Sequence, residues 1–484
     1  MTGLNDDTIV APATPAGSGA LGIVRLSGKD AIRIADSVWK GRSLAECRSH
    51  TVHLGNIEDE NGNVLDRGVA TVFAAPNSFT GEDSVEFTLH GSPWIMREVT
   101  GLLLRKGARC AEPGEFSRRA YLNGRMDLAS AEGVADLISS SSRAAHRLAM
   151  MQTRGDFSRE FNSLRDKLIE LASLLELELD FSEEDVEFAD RSKLKDITER
   201  LLSKIDRLTA SYAAGRAFKE GVPVVISGVP NVGKSTLLNA LLQEDKAIVS
   251  DIPGTTRDII EDTCEIEGVL FRFVDTAGLR ESEDAVENLG IGRALKRLAG
   301  ASIILWLLDP TADITIQMLE MKKTLREADP IQTVIPVITK SQASDTDTDR
   351  IDTAAKAIEE TATDASGEAT YAQGKSARYF EHPLEISAKE GIGVDRLRDA
   401  LKEVATCTYN PEKELLLTNA RHYGDLLKAS EALRNALSQM QTNASADFIA
   451  MDIREATAAL SSLTGAITTP DLLHSIFSHF CIGK

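Results

Sequence analysis

The nine residues Gly228–Thr236, GVPNVGKST, restrict what this chain can fold into more than any other segment. They match G-x-x-x-x-G-K-[ST], with Gly228, Gly233, Lys234 and Ser235 at the fixed places, between the apolar run VPVVIS and the apolar stretch LLNALLQ. A loop of this kind needs a strand before it and a helix after it. The glycines let backbone N–H groups, those of Asn231, Val232 and Gly233 among them, face phosphate, and the helix start adds positive potential. Lys234 reaches the outer phosphates, Ser235 can ligate magnesium, and Thr236 opens the helix beside them.

The surroundings extend this reading to a whole domain. VPVVISG, FRFVDTAG, SIILWLLD and TVIPVIT are apolar, β-branched runs separated by helical stretches over residues 219–408, which predicts a mostly parallel, doubly wound sheet. Before it, residues 1–122 mix short strands (GIVRLSG, VATVFAA, SVEFTLHG) with two helical patterns, an α+β unit. Residues 123–218 and 409–484 are helical in texture, with Leu168, Leu171, Leu175 and Leu179 at helical spacing, so the sheet domain reads as an insertion into a helical one. The expected fold is therefore multidomain α/β. The segment Ser341–Ala377, rich in Asp, Glu, Thr, Ser and Ala, reads as a solvated helix and loop without chemistry of its own. GSGALG fits G-x-G-x-x-G, but it precedes a strand instead of opening a helix, and is read as a glycine loop.

Charge and cysteine content exclude several classes. Lys plus Arg is 54 against 74 Asp plus Glu, a net charge of −20, which repels a polyanion unless basic residues gather locally or a partner supplies them. Five scattered cysteines with no C-x-x-C pair oppose a disulfide framework and a zinc site. The absence of an apolar leader or span points to a cytoplasmic protein without a membrane role.

Downstream of the loop, FVDTAG places Asp275, Thr276, Ala277 and Gly278 at the end of a second apolar strand, where the glycine N–H can meet a terminal phosphate. SDIPGTTRD supplies Thr256 as a second magnesium ligand if its loop closes. This order of strand, loop and strand resembles the translation-factor-related GTPases. EISAKEG, with Ser387 and Ala388, resembles the loop that offers an N–H to the guanine carbonyl. The base-reading motif Asn-Lys-x-Asp is altered to Thr339, Lys340, Ser341 and Gln342, which predicts weaker guanine discrimination, because Gln342 lacks the carboxylate. Leu279 stands where signalling GTPases carry the glutamine that orients water.

Asn231 together with SDIPGTTRD resembles potassium-activated GTPases. With the flanking stretches DTIVAPATP, PNSFTGEDSVE, EPGEFSRRAYLNGRMDLASAEGVADLI and the terminal FCIGK, the chain resembles the MnmE (TrmE) family of tRNA-modification GTPases along essentially its whole length. The resemblance implies an N-terminal folate-binding domain that also dimerises, a helical domain, and a GTPase domain. It implies a homodimer that joins a flavin-dependent (FAD-carrying) partner in a heterotetramer and acts on tRNA. By the same resemblance, Arg25, Glu86, Arg125 and Lys484 contact a tetrahydrofolate derivative (5-formyl or 5,10-methylene). Asn231, Ser250, Ile252 and Thr255 hold potassium, Ser235 and Thr256 hold magnesium, and Glu287 helps orient the hydrolytic water. A regulatory or assembly GTPase without covalent chemistry stands as the alternative.

Cys481 closes the chain as Cys-x-x-x. Prenylation is opposed by Lys484 at the last place, by Gly483 before it and by the lack of an upstream basic run. Two readings stay open, a buried structural cysteine and a functional thiol near the folate site, and the terminal motif favours the second.

Overall fold

The computed structural model describes residues 7–180, 191–243, 262–274, 301–313, 316–317, 333–340, 378–379, 383–442, 445–481 and 483. The chain forms two compact units, residues 1–138, 150–205 and 424–484 in one, and 139–149 and 206–423 in the other.

The first unit carries a seven-stranded sheet in the order β3-β4-β5-β6-β2-β1-β7. Its strands are β1 (Ile9–Pro12), β2 (Gly19–Ser27), β3 (Trp39–Lys40), β4 (Thr51–Glu58), β5 (Val64–Phe73), β6 (Ser84–Gly91) and β7 (Arg109–Cys110). All neighbours run antiparallel except β1 and β7. Alternation along β2 and β6 turns Val24, Leu26, Val85, Phe87 and Leu89 to one face, where they pack with the helices Ala31–Val38 and Pro93–Arg105. The other face keeps Arg25 and Glu86 directly opposite each other across the β2–β6 pair. Of the GSGALG segment only Gly17 and Ser18 belong to the β1–β2 connection; Gly19–Gly22 open β2 itself, where the register against β6 shifts, so the glycine-loop reading holds only for its first two residues.

Helices complete this unit. In Asp156–Asp180 the predicted stripe buries Leu168, Leu171 and Leu175, each no more than 1 % exposed, and this helix packs on Ala446–Thr464. The Leu179 side chain lies outside the described residues. The short helix Pro470–Phe477 begins at a Thr469 side-chain cap and a proline, and its Phe477 packs with Leu128 and Ala131. No helix among the described residues is long and apolar enough to cross a membrane.

The second unit carries β8 (Val222–Gly228), β9 (Asp262–Ile266), β10 (Val269–Phe273), β11 (Ile303–Leu308), β12 (Thr333–Ile338), β13 (Arg378–Tyr379) and β14 (Leu384–Glu385). They lie in the order β13-β12-β11-β8-β10-β9, with β14 also on β12. Every pairing is parallel except β9 with β10, as the unbroken apolar runs predict: all six residues of β11 are buried. The first strand of this unit, β8, is central, so the chain reverses its direction of travel there, and the crevice at the strands' carboxyl ends is the natural ligand position.

Candidate functional site

The phosphate loop leaves the carboxyl end of β8 and enters the helix Lys234–Gln243. Gly228 has φ +145°, and a Cβ there would stand 2.5 Å from the Leu307 carbonyl, so the approach of β11 to the loop excludes any side chain. Val232 anchors the loop by full burial, whereas Asn231 is exposed and left-handed at φ +61°. Gly233 is also left-handed, and the Leu237 N–H bonds its carbonyl at 2.9 Å, starting the helix. Lys234 Nζ donates to the Gly228 and Val229 carbonyls, each at 2.9 Å, and burial pushes its pKa below the ordinary lysine value. The loop therefore concentrates an ammonium, a helix N-terminus and the hydroxyls of Ser235 and Thr236 in one place, a combination suited to polyphosphate.

Three more segments end at the same edge of the sheet. Asp309 follows β11, Thr339 and Lys340 follow β12, and Ser387 and Ala388 follow β14. The hydroxyl of buried Thr339 donates to the Leu308 carbonyl at 3.2 Å. Ser387 is buried, its N–H held by the Ile392 carbonyl at 2.9 Å. Ser250, Ile252, Thr255, Thr256, Asp275, Thr276, Ala277, Gly278, Glu287 and Gln342 lie outside the described residues, as does the Ser341–Ala377 segment.

The first unit gathers a different set. Arg25 Nε donates to Glu86 Oε1 at 2.7 Å, and its guanidinium lies 5.5 Å from the ring centres of both Phe79 and Phe116. Phe79 also lines a cavity of about 370 Å³ with His50, Phe73, Asn77, Ser78 and Arg125. Arg25, Glu86 and Arg125 are thus brought together around Phe79; Lys484 lies outside the described residues. The sequence alone does not single out Phe79, Phe116, His50 or Asn77, although PNSFTGED holds Asn77 and Phe79 and EPGEFSRR holds Phe116.

Behind this site stands an ionic cluster that the sequence did not announce. Arg119, 1 % exposed, donates to Asp7, Glu82 and Glu115, and Arg109 forks onto Glu115 and Asp7. Burial alone would raise the pKa of Asp7 and Glu115, but hydrogen bonds from the two arginines hold both below the usual carboxylate range.

The C-terminal segment docks in this unit. Gly114, at φ +63°, has its N–H 3.4 Å from the Cys481 carbonyl, and a Cβ on it would stand 2.6 Å from the Phe477 carbonyl. Gly483, at φ +95°, fits so closely that a Cβ would stand 2.2 Å from the Pro12 carbonyl. Cys481 itself is exposed, which corrects the reading of it as a buried structural residue. The segment's burial falls on Phe477 and Gly483 instead.

Comparison with known proteins covers 99% of the chain. The family model of the GTP-binding protein TrmE N-terminus matches residues 8–125, and that of the MnmE helical domain matches residues 128–481. The chain is 46% identical over 479 residues to the tRNA modification GTPase MnmE of Cytophaga hutchinsonii, covering 99% of this chain and 98% of the relative. It is 44% identical over 486 residues to the protein of the same description from Bacteroides thetaiotaomicron, covering 99% and 100% respectively.

Proposed function

The chain belongs to the MnmE (TrmE) family of tRNA modification GTPases, and from that premise we propose that its GTP hydrolysis is potassium-activated and serves the addition of a carboxymethylaminomethyl (or aminomethyl) group at C5 of the wobble uridine of certain tRNAs. It is a GTP hydrolase of tRNA modification; the finer reading concerns cofactors, partners and site chemistry. A tetrahydrofolate derivative supplies the one-carbon unit, and an FAD-carrying partner joins a homodimer of this chain on the tRNA.

Lys234 neutralises charge on the outer phosphates, and the N–H groups at the start of its helix take the phosphate oxygens. Its contacts with the Gly228 and Val229 carbonyls keep the ammonium at the loop mouth until phosphate competes for it. Asn231 offers an amide oxygen from an exposed, left-handed position, a donor suited to a hard monovalent cation, with Ser250, Ile252 and Thr255 completing the set. Ser235 and Thr256 would hold magnesium, and Glu287 would orient the attacking water. Bound potassium and magnesium supply positive charge where the transferring phosphoryl group develops negative charge.

In the other unit, Arg25 and Arg125 offer cations to an anionic ligand and Phe79 offers a flat face between them. This convergence, in the same unit that holds the tail with Cys481, is the observation that supports folate chemistry over a purely regulatory role. The test is mass spectrometry of tRNA nucleosides from a deletion strain complemented with wild type, Arg25→Ala or a chain truncated after Phe480. Loss of the modified uridine in both variants, with GTP hydrolysis retained, is expected; unmodified tRNA levels matching wild type in either variant would favour the regulatory reading. Hydrolysis rates in potassium and in sodium test the cation directly, and equal rates would remove it.

A further inference from the structure

The ion pair between Asp309 and Lys340 is built with more support than a surface contact needs. Asp309 follows β11, the strand between β8 and β12, and its side chain is 11% exposed. One carboxylate oxygen, Oδ1, accepts from the Thr311 N–H at 2.9 Å and the Thr311 hydroxyl at 2.6 Å. Its backbone is clamped on both sides by buried Gln317, whose Oε1 accepts from Asp309 N–H and whose Nε2 donates to the Asp309 carbonyl, each at 2.9 Å. The remaining oxygen, Oδ2, takes the ammonium of Lys340. Burial would raise the Asp309 pKa, but Lys340 and Thr311 hold it low, so the anion is fixed in charge as well as in place.

Lys340 is the more exposed member of the pair. Its side chain is 46% exposed, and its backbone is left-handed at φ +59°, a conformation uncommon for a residue other than glycine. It stands at the carboxyl end of β12, two strands from β8 in the sheet order, or about 10 Å from the phosphate loop along the edge. A nucleotide with its phosphates on Lys234 brings its base to this position, with the sugar between. There the four-carbon stem of Lys340 forms an apolar shelf for a ring face, provided the ammonium is tied down at its far end.

We propose that Asp309 is a positioning residue for nucleotide binding: it holds Lys340 so that the lysine stem, already placed, supports the purine base. The proposal rests on the GTPase reading of the phosphate loop. A stem stacked on a ring does not tell guanine from hypoxanthine, so the pair contributes affinity common to both bases. Selectivity is left to the groups that face the base edge.

The discriminating variant is Asp309→Asn, which keeps an oxygen for Thr311 and removes the charge that holds Lys340. GTP and inosine triphosphate should both bind about five- to ten-fold more weakly, a modest loss because the pair is partly exposed. Their affinity ratio should stay as in wild type, KM should rise, and kcat and melting temperature should stay near wild type. Lys340→Gln should give a similar loss, and the double variant no further loss, because both changes remove one interaction. Unchanged nucleotide affinity in a folded Asp309→Asn protein would overturn the proposal. So would additive losses in the double variant, or a change in the GTP to inosine triphosphate ratio. If wild type itself failed to bind GTP, the phosphate-loop reading would fall instead, so the two failures are distinguishable.

Discussion

The phosphate loop holds its groups on nine consecutive residues, whereas the Arg25 site draws on β2, β6, the 77–79 segment, Phe116 and Arg125. Loop geometry is set by the close approach of Leu307 from β11 and by the burial of the loop's own Val232. The dispersed site depends on a whole sheet and on the ionic cluster that joins buried Arg119 and Glu115 to Asp7 and Glu82. A local site fails when one of its own residues changes; a dispersed site also fails when its support does.

The largest effect should come from the local site. Lys234→Ala should reduce GTP turnover at least about 100-fold, because phosphoryl transfer depends on positioned charge. The thermal unfolding of the β1–β7 unit should be unaffected, and steady-state turnover with differential scanning calorimetry checks both.

Next comes the support of the dispersed site. Arg119→Ala removes the buried cation of the cluster, leaving Glu82 without its arginine and Glu115 with Arg109 as its main partner, and should cost about 3 kcal/mol, seen in urea melts as early loss of the β1–β7 unit. The same cluster makes this unit acid-sensitive. Asp7 and Glu115 have folded pKa values below their unfolded ones, so their contribution is present above the unfolded values and is lost as pH falls through the folded ones. Melts from pH 7 down to pH 3 should show a steeper fall in wild type than in Arg119→Ala.

A smaller effect is expected at the docked tail. Gly114→Ala combines a left-handed backbone with a clash on the Phe477 carbonyl and should cost about 1–3 kcal/mol. Hydrogen exchange should accelerate over residues 470–481 and leave β8 and β11 as they were; unchanged exchange in the tail would show that Gly114 does not hold it.

The smallest runs the other way. Asp452, 5% exposed, has an Oδ2 with no hydrogen-bond partner among the described residues, and burial, followed by the charge of Glu455, pushes its pKa up. A raised folded pKa means that its charge costs stability at neutral pH and that the cost fades as pH falls. Asp452→Asn should therefore raise the melting temperature by about 2–4 °C at pH 7.5 and by less at pH 4.5.

This contrast also explains what could be read from sequence. The parallel sheet was legible because β8, β11 and β12 are apolar on both faces, and the loop because its motif is contiguous. Arg25 and Glu86 are 61 residues apart and become partners only through the β2–β6 register. Each alone looks like a surface charge, and only family resemblance raised them. Arg119 was invisible for another reason: in EFSRRAYLN two adjacent arginines share one helix, and burial of the second follows from tertiary packing. Cys481 was misjudged in one of its readings because small apolar character suggests burial, while the close fit at this end falls to the glycine two residues on.

The docking of Gly483 against Pro12 and of Cys481 against Gly114 sets an order of assembly. All of β8–β14 is translated between the two halves of that contact, so a ribosome has made the entire GTP-binding sheet before the tail that finishes the β1–β7 unit exists. A message cut short after Thr406 would still encode the strands and loop that cradle phosphate, but never the seam that closes the earlier-made sheet. During synthesis, the whole phosphate-loop sheet therefore precedes the tail that closes the β1–β7 unit.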